Sequence, residues 1–286
     1  MIWYFVALLG ALGNAIYFSL SKKAVKTLNL YWFSAVVSLL SGTTLLFIAF
    51  VEGIPKLGPN LWISVCGSVF VNVFATILYL KALKISDISL TMPMLSFTPL
   101  FLIGTSYIMV NEFPSIIGIS GILLIGCGAY VLNIEAGSGF FAPFMNLVKE
   151  RGSVYMLIVA FLFSIGSNFD KISLLNSSPI FASSLLFLSI GAVFLIISLF
   201  KADNKIASLK KNSFDFILPA IAMAFTSILM MTAMKYILVS YAISIKRISI
   251  LFTTLAGFMF FREKNIASRL AGSLIIVLGT VLIAFA

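Results

Sequence analysis

The sequence predicts an all-α membrane protein, with ten transmembrane helices arranged as two inverted five-helix repeats. Three observations predict it: an extreme apolar composition, ten charge-poor runs of spanning length, and a repeat whose unit holds an odd number of runs. Of the 286 residues, 61% are hydrophobic and 10% charged, with a mean hydropathy of +1.15. Soluble domains lie far from these values, because a water-facing surface of this size needs more polar groups than the chain supplies. Lipid must therefore be the solvent for most of the exterior. Only helices or closed barrels satisfy their backbone groups in hydrocarbon, and the period-2 alternation of a barrel is absent.

A helical crossing takes about 20 apolar residues. The first run, 2–21, lacks a basic leader and an A-x-A-like cleavage site, so it reads as a retained span. The second is 31–51. The third, 60–80, follows Pro59, and the fifth, 114–134, begins at Pro114. Proline is tolerated in a first helical turn, where its missing N–H costs least. Between them, 88–110 carries Pro93 and Pro99. The sixth run is 153–173, and the seventh, 178–200, contains Pro179 at its start. The eighth, 214–235, carries Pro219; the ninth, 241–261, carries Lys246 and Arg247; the tenth is 266–285. No soluble domain is left over, since the longest polar connectors are 136–152 and 201–213.

Shifting the chain by 151 residues lays 80–134 over 231–285. The non-aliphatic matches carry the weight: Ala82/Ala233, Lys84/Lys235, Ser89/Ser240, Glu112/Glu263, Gly121/Gly272 and Gly128/Gly279. A shift of 149 places Lys22 on Lys171 and Gly42 on Gly191, which extends the correspondence to earlier helices. The organisation is thus a first repeat over 1–134, a connector over 135–152 and a second repeat over 153–286. A five-span unit makes its second copy enter the bilayer from the opposite side. Basic residues obey that requirement. They gather in loops 1–2 (Lys22, Lys23, Lys26), 3–4 (Lys81, Lys84), 7–8 (Lys201, Lys205, Lys210, Lys211) and 9–10 (Arg262, Lys264, Arg269), with Lys149 and Arg151 in the connector. All these odd-numbered loops share one face, which charge assigns to the cytoplasm; the even-numbered loops share the other. The net charge of +10 is then an orientation signal whose partner is membrane lipid, and no basic soluble module exists to bind nucleic acid. Cys66 and Cys127 lie within apolar runs, where a buried small hydrophobe is expected rather than a disulfide.

Two stretches resemble a known family. LKALKISDISLTMPMLSFTPLFLIGTSYIMVNEFPSIIGISGILLIGCGAYVL, over 80–132, has an alanine-bearing helix end, proline in the fourth span, glutamate closing it and a glycine-bearing fifth span. ISILFTTLAGFMFFREKNIASRLAGSLIIVLGTVLIAF, from Ile248, looks like the same element. Both resemble the C-terminal part of the EamA repeat of the drug/metabolite transporter superfamily, and the resemblance covers essentially the whole chain. The copies differ at Pro99, opposite Ile250, and at Lys246 and Arg247, opposite Leu95 and Ser96. The resemblance implies a transporter in the cell membrane. Its central cavity would be lined by helices one, three and four and their counterparts six, eight and nine, opening alternately to either side, and members are chiefly exporters of amino acids and other metabolites.

The residues lead to transport independently. An ionisable group inside a span costs roughly 2.5–3.5 kcal/mol on insertion scales and needs a reason. Asp170 with Lys171 near the end of helix six, and Lys246 with Arg247 in helix nine, fall at similar depth toward the even-loop face, where Asp170 can pair with either cation. Neighbours on a helix point about 100° apart, so one cation of the pair is expected to face the cavity and the other to snorkel. Two readings stay open: all four reach headgroups, or they gate or bind an anion. Asn14 and Tyr17 on helix one, Asn72, Thr76 and Tyr79 on helix three, Ser167 and Asn168 on helix six, and Met230 on helix eight form the expected solute-binding set. Interhelical hydrogen bonding is the structural alternative for each polar member. Glu112 and Glu263 close equivalent helices, where the dipole disfavours a carboxylate. Each therefore needs a cationic partner, such as Lys264 or Arg269, and a coupling role is the second reading. Pro99 marks a segment suited to movement. The glycine pairs suit close packing, within a half or between the protomers of a homodimer.

No histidine, no G-x-S-x-G and no close carboxylate pair is present, so neither catalysis, a metal nor another cofactor is expected. A filter loop and rings of like charge, the marks of a channel, are also missing. The expectation is a secondary transporter moving a small polar metabolite, an amino acid or related and anionic solute, by alternating access, as an exporter. The alternative is a flippase or scramblase of a lipid-linked metabolite.

Overall fold

In hydrocarbon, apolar side chains gain little by leaving lipid, so helices associate where small residues let backbones approach and polar groups find partners. The chain follows that rule. The computed structural model describes residues 2–24, 28–85, 92–132, 151–201, 213–249, 252 and 266–286. Its helices are α1 (Ile2–Ala24), α2 (Leu30–Glu52), α3 (Leu61–Ile85), α4 (Thr98–Val110), α5 (Ile116–Leu132), α6 (Arg151–Leu175), α7 (Pro179–Lys201), α8 (Phe214–Tyr236), α9 (Val239–Lys246) and α10 (Ile266–Ala284). Alanines and serines fill the interior, among them Ala7, Ala11, Ala35, Ala160, Ser41, Ser68 and Ser184. Phe5, Phe47, Phe70, Ile108, Phe200 and Leu274 project outward as a lipid-facing surface.

Among the described residues six helices, α1, α2, α3, α6, α7 and α8, are long and apolar enough to cross a membrane. Met94–Val110, Ile116–Val131 and Ala271–Ala284 are apolar but shorter. One expected span is built differently from an unbroken helix among the described residues. The fourth opens with a 3-10 turn, Met92–Phe97, and Pro99 stands in the first turn of α4, where it starts the helix instead of kinking it. In the ninth, Arg247 follows α9 in a helical conformation, φ −67° and ψ −16°, its N–H on the Ile243 carbonyl at 3.2 Å, and Ile248–Ser249 are helical; positions 250–251 and 253–265 lie outside the described residues. Pro179 opens α7, and Pro59 and Pro114 stand just before α3 and α5. The start of α2 has a cap: the Asn29 side chain accepts hydrogen bonds from the Tyr31 and Trp32 N–H groups at 3.0 and 3.3 Å.

Two pairs of equivalent helices, α2 with α7 and α5 with α10, pack against each other, antiparallel. In α5 and α10, Gly121 faces the Gly279 carbonyl while Gly128 faces the Gly272 carbonyl. In α2 and α7, Gly42 meets Leu188 while Gly191 meets Leu39, and these four are two equivalent pairs. A Cβ on Gly121 would come 2.7 Å from the Gly279 oxygen, and one on Gly279 would come 2.7 Å from the Gly121 oxygen. Such reciprocity is what a two-fold relation between inverted copies produces. These glycines therefore pack between the two halves of one chain, rather than within a half. Cys66 and Cys127 are exposed free thiols on the outer surface, a correction to their expected burial.

Loops meet according to parity. Asn29 in loop 1–2 donates from Nδ2 to the Lys201 carbonyl at the end of α7, at 2.8 Å. Gly58 in loop 2–3 donates its N–H to the Asn176 carbonyl beyond α6, also at 2.8 Å. The 23 residues of α2 separate these two junctions by about 34 Å at 1.5 Å per residue. Asn29→Cys and Asn176→Cys, in a chain with Cys66 and Cys127 replaced by serine, should accordingly react with a membrane-impermeant maleimide from opposite sides. Labelling of both from one side would contradict the antiparallel packing.

Candidate functional site

A charged and polar cluster lies between α3, α4, α6 and α9. Asp170 on α6 accepts a hydrogen bond from Ser68 Oγ on α3 at 2.5 Å, and Asn72 Nδ2 donates to the same hydroxyl at 3.0 Å. Ser68 and Asn72 are four apart and so share a helix face. Arg247 donates from Nη2 to Thr98 Oγ1 at 2.8 Å, and Thr98, fully buried, passes its own hydrogen to the Leu95 carbonyl. Arg247 Nε is buried and unpartnered among the described residues. Lys246 makes no hydrogen bond or ion pair there, yet its charge interacts with both Asp170 and Arg247. Seven residues separate Lys246 from the start of α9, placing it about 10 Å below the even-loop face. Asn14 of α1 closes the cluster on the other side, donating to Ser249 Oγ at 2.9 Å.

Three expectations change here. Asp170 makes no ion pair with Lys246 or Arg247; Ser68 holds its carboxylate, and the attraction to Lys246 acts across a gap. Neither cation snorkels: Arg247 keeps a helical conformation, φ −67° and ψ −16°, so it points about 100° round from Lys246 and reaches Thr98, while Lys246 stays within the field of Asp170. Asn168 is fully buried and spent on packing: Oδ1 accepts from Ser106 at 2.9 Å, while Nδ2 donates to Thr105 and to the Ser164 carbonyl, both at 3.0 Å. It fastens α6 to α4.

A second cluster sits at the even-loop ends of four helices. Asn111 adopts a left-handed conformation, φ 54°, that ends α4 and turns the chain so that Glu112 leaves the helix axis. Glu112 Oε1 pairs with Lys171 Nζ at 2.8 Å, and Oε2 accepts the Val239 N–H at 2.8 Å. Lys171 also donates to the carbonyls of Met234 and Ile237, the latter at 3.1 Å. The ammonium therefore caps the carboxyl end of α8, and the carboxylate caps the amino end of α9, each where the helix dipole favours that charge. This corrects two expectations: the partner of Glu112 is Lys171 instead of Lys264 or Arg269, and Lys171, 5% exposed, does not reach headgroups. Glu263 lies outside the described residues.

The remaining predicted residues occupy α1, α3, α6 and α8. Tyr17 and Tyr79 lie within electrostatic range of each other, half-buried like Thr76. Ser167 stands one turn from Asp170 and bonds its own helix at the Phe163 carbonyl. Met230 is buried against Gly10 where α1 crosses α8. Sequence reading missed Ser68, Thr98 and Ser249. Ser68 had a signal, since it extends the Asn72–Thr76–Tyr79 stripe by one turn; Thr98 and Ser249 had only their equivalence in the repeat.

The sequence pattern of the EamA-like transporter family matches residues 1–134 and again 150–285. The chain belongs to this family. It is thus a multi-pass membrane protein and a transporter of a solute, with two EamA repeats. A solved crystal structure is similar to this EamA chain over 99% of it and over 96% of its own length, at a TM-score of 0.74 and 14% identity. At that identity the likeness is one of fold. No curated protein matches.

Proposed function

We propose that this EamA protein carries a small polar metabolite bearing an anionic group, an amino acid or related solute, across the cell membrane by alternating access, as an exporter. One observation carries the reading. Two cations, Lys246 and Arg247, stand inside the helix assembly with unspent hydrogen-bonding capacity, against the single carboxylate of Asp170. Charges at such depth are costly, and an uncompensated positive charge there is offset when an anionic solute enters. A guanidinium offers a planar fork for carboxylate or phosphate oxygens, and an ammonium adds a point charge. Asn14, Asn72, Tyr17, Tyr79, Thr76 and Ser167 supply neutral polar groups from the surrounding helices, and Asp170 can receive a solute ammonium or couple transport to protons.

Counterflow in proteoliposomes tests this. The purified protein is loaded with an unlabelled monocarboxylate, dicarboxylate, amino acid or phosphate ester, and uptake of the labelled compound is followed. Saturable exchange of at least one anionic class is expected, with cationic amines inert. Exchange restricted to amines would overturn the anion reading, an ohmic current without exchange would make the protein a channel, and movement of a labelled lipid alone would make it a flippase.

A further inference from the structure

Resting on the transport reading, we propose that Glu112 and Lys171 form a reversible gate on the even-loop face, joined while that face is shut and parted when the cavity opens toward it. The contact ties the ends of α4, α6, α8 and α9, and every donor of the ammonium is engaged: one on Glu112, two on the carbonyls of Met234 and Ile237. The same two elements carry the solute charges. Asp170 is the residue before Lys171, and Lys246 lies two turns along α9 from Val239, whose N–H Glu112 holds. A short helix moves as a body, so releasing its amino end displaces Lys246 and Arg247 together.

An ion pair suits a contact that must open. The attraction gained in a desolvated site is largely offset by lost hydration, which returns when water enters and the charges separate. An apolar seal regains nothing of this kind, and separating it exposes its full area to water. The sequence adds a second argument. Lys22 occupies the position of Lys171 in the first repeat, and Glu263 the position of Glu112 in the second. A static clamp needs one such pair, whereas two inverted copies that exchange conformations call for both charges in both copies.

The experiment uses the full chain in vesicles, with Cys66 and Cys127 changed to serine and Ser167→Cys as a reporter one turn below Asp170. A membrane-impermeant maleimide is applied from the even-loop face. Glu112→Gln and Lys171→Met should each raise the labelling rate about tenfold, the shift expected when a closed state loses one modest stabilising contact, and should not raise it from the opposite face. Unchanged rates in both variants would overturn the gate. Should the neutral variants fail to fold, Glu112→Asp keeps the charge while shortening its reach, and the same two outcomes apply. A cleavable bis-thiosulfonate joining Glu112→Cys to Lys171→Cys should arrest exchange until reduced; exchange persisting at the unlinked rate would mean a contact that never opens. A parent protein exchanging no solute would remove the transport reading, while the labelling rates would still report whether the contact parts.

Discussion

Arg247→Ala is expected to slow exchange of an anionic solute about 100-fold, the scale on which truncating one partner of a buried, hydrogen-bonded charge pair acts. The guanidinium already gives one donor to Thr98 and keeps Nε buried without a partner, so it is held in place before a solute arrives. Such pre-organisation spares the entropy of ordering a long side chain on binding. Arg247→Lys keeps the charge and loses the planar fork, so partial activity is expected, with a larger rise in the concentration needed for half-maximal rate than fall in the maximal rate. Lys246→Ala removes the charge that attracts Asp170 and should also impair exchange. Wild-type rates in both alanine variants, measured by counterflow, would leave the two cations as features of packing alone.

Gly279→Leu is expected to cost about 3 kcal/mol of stability or more, at the upper end of overpacking effects. Its Cβ alone would lie 2.7 Å from the Gly121 carbonyl and 2.9 Å from the Ile125 backbone nitrogen. Both are backbone atoms of the facing helix, so relief requires α5 and α10 to move apart along their whole crossing. Gly104→Leu on α4 provides the contrast, because nothing lies within 4 Å of a Cβ there. Replacing that glycine should be neutral or mildly stabilising, since glycine is a poor helix former. Thermal unfolding in detergent reads both, and equal melting temperatures for the two variants would show that the glycine crossing does not hold the halves together.

Much of the architecture could be read from residue order because lipid imposes few solutions. Charge-poor runs of about 20 residues have to become helices, and Pro59, Pro114 and Pro179 mark three helix starts to within two residues. The repeat was legible through its rare residues, and Gly121/Gly272 and Gly128/Gly279 sit where the antiparallel packing uses them. Partnership was less legible. Asn168 looked like a solute ligand because its helix and its polarity were right, yet three groups on α4 and α6 satisfy it. Its neighbour Asp170 is bound by Ser68, a residue too common in spans to attract notice. Thr98, which holds Arg247, is as unremarkable in a span as Ser68.

Sequence by itself determined the solvent, the helical class, the duplication and the opposed orientation of the copies, since each follows from composition, period and charge parity, quantities that need no knowledge of contacts. Tertiary structure alone decided which charge meets which. Glu112 and Lys171 are 59 positions apart in the chain, and what unites them is the convergence of four helix ends whose dipoles favour an anion at α9 and a cation at α8. Pairing energies at such a junction depend on distances of a few ångströms, and those are fixed only when the helices have packed.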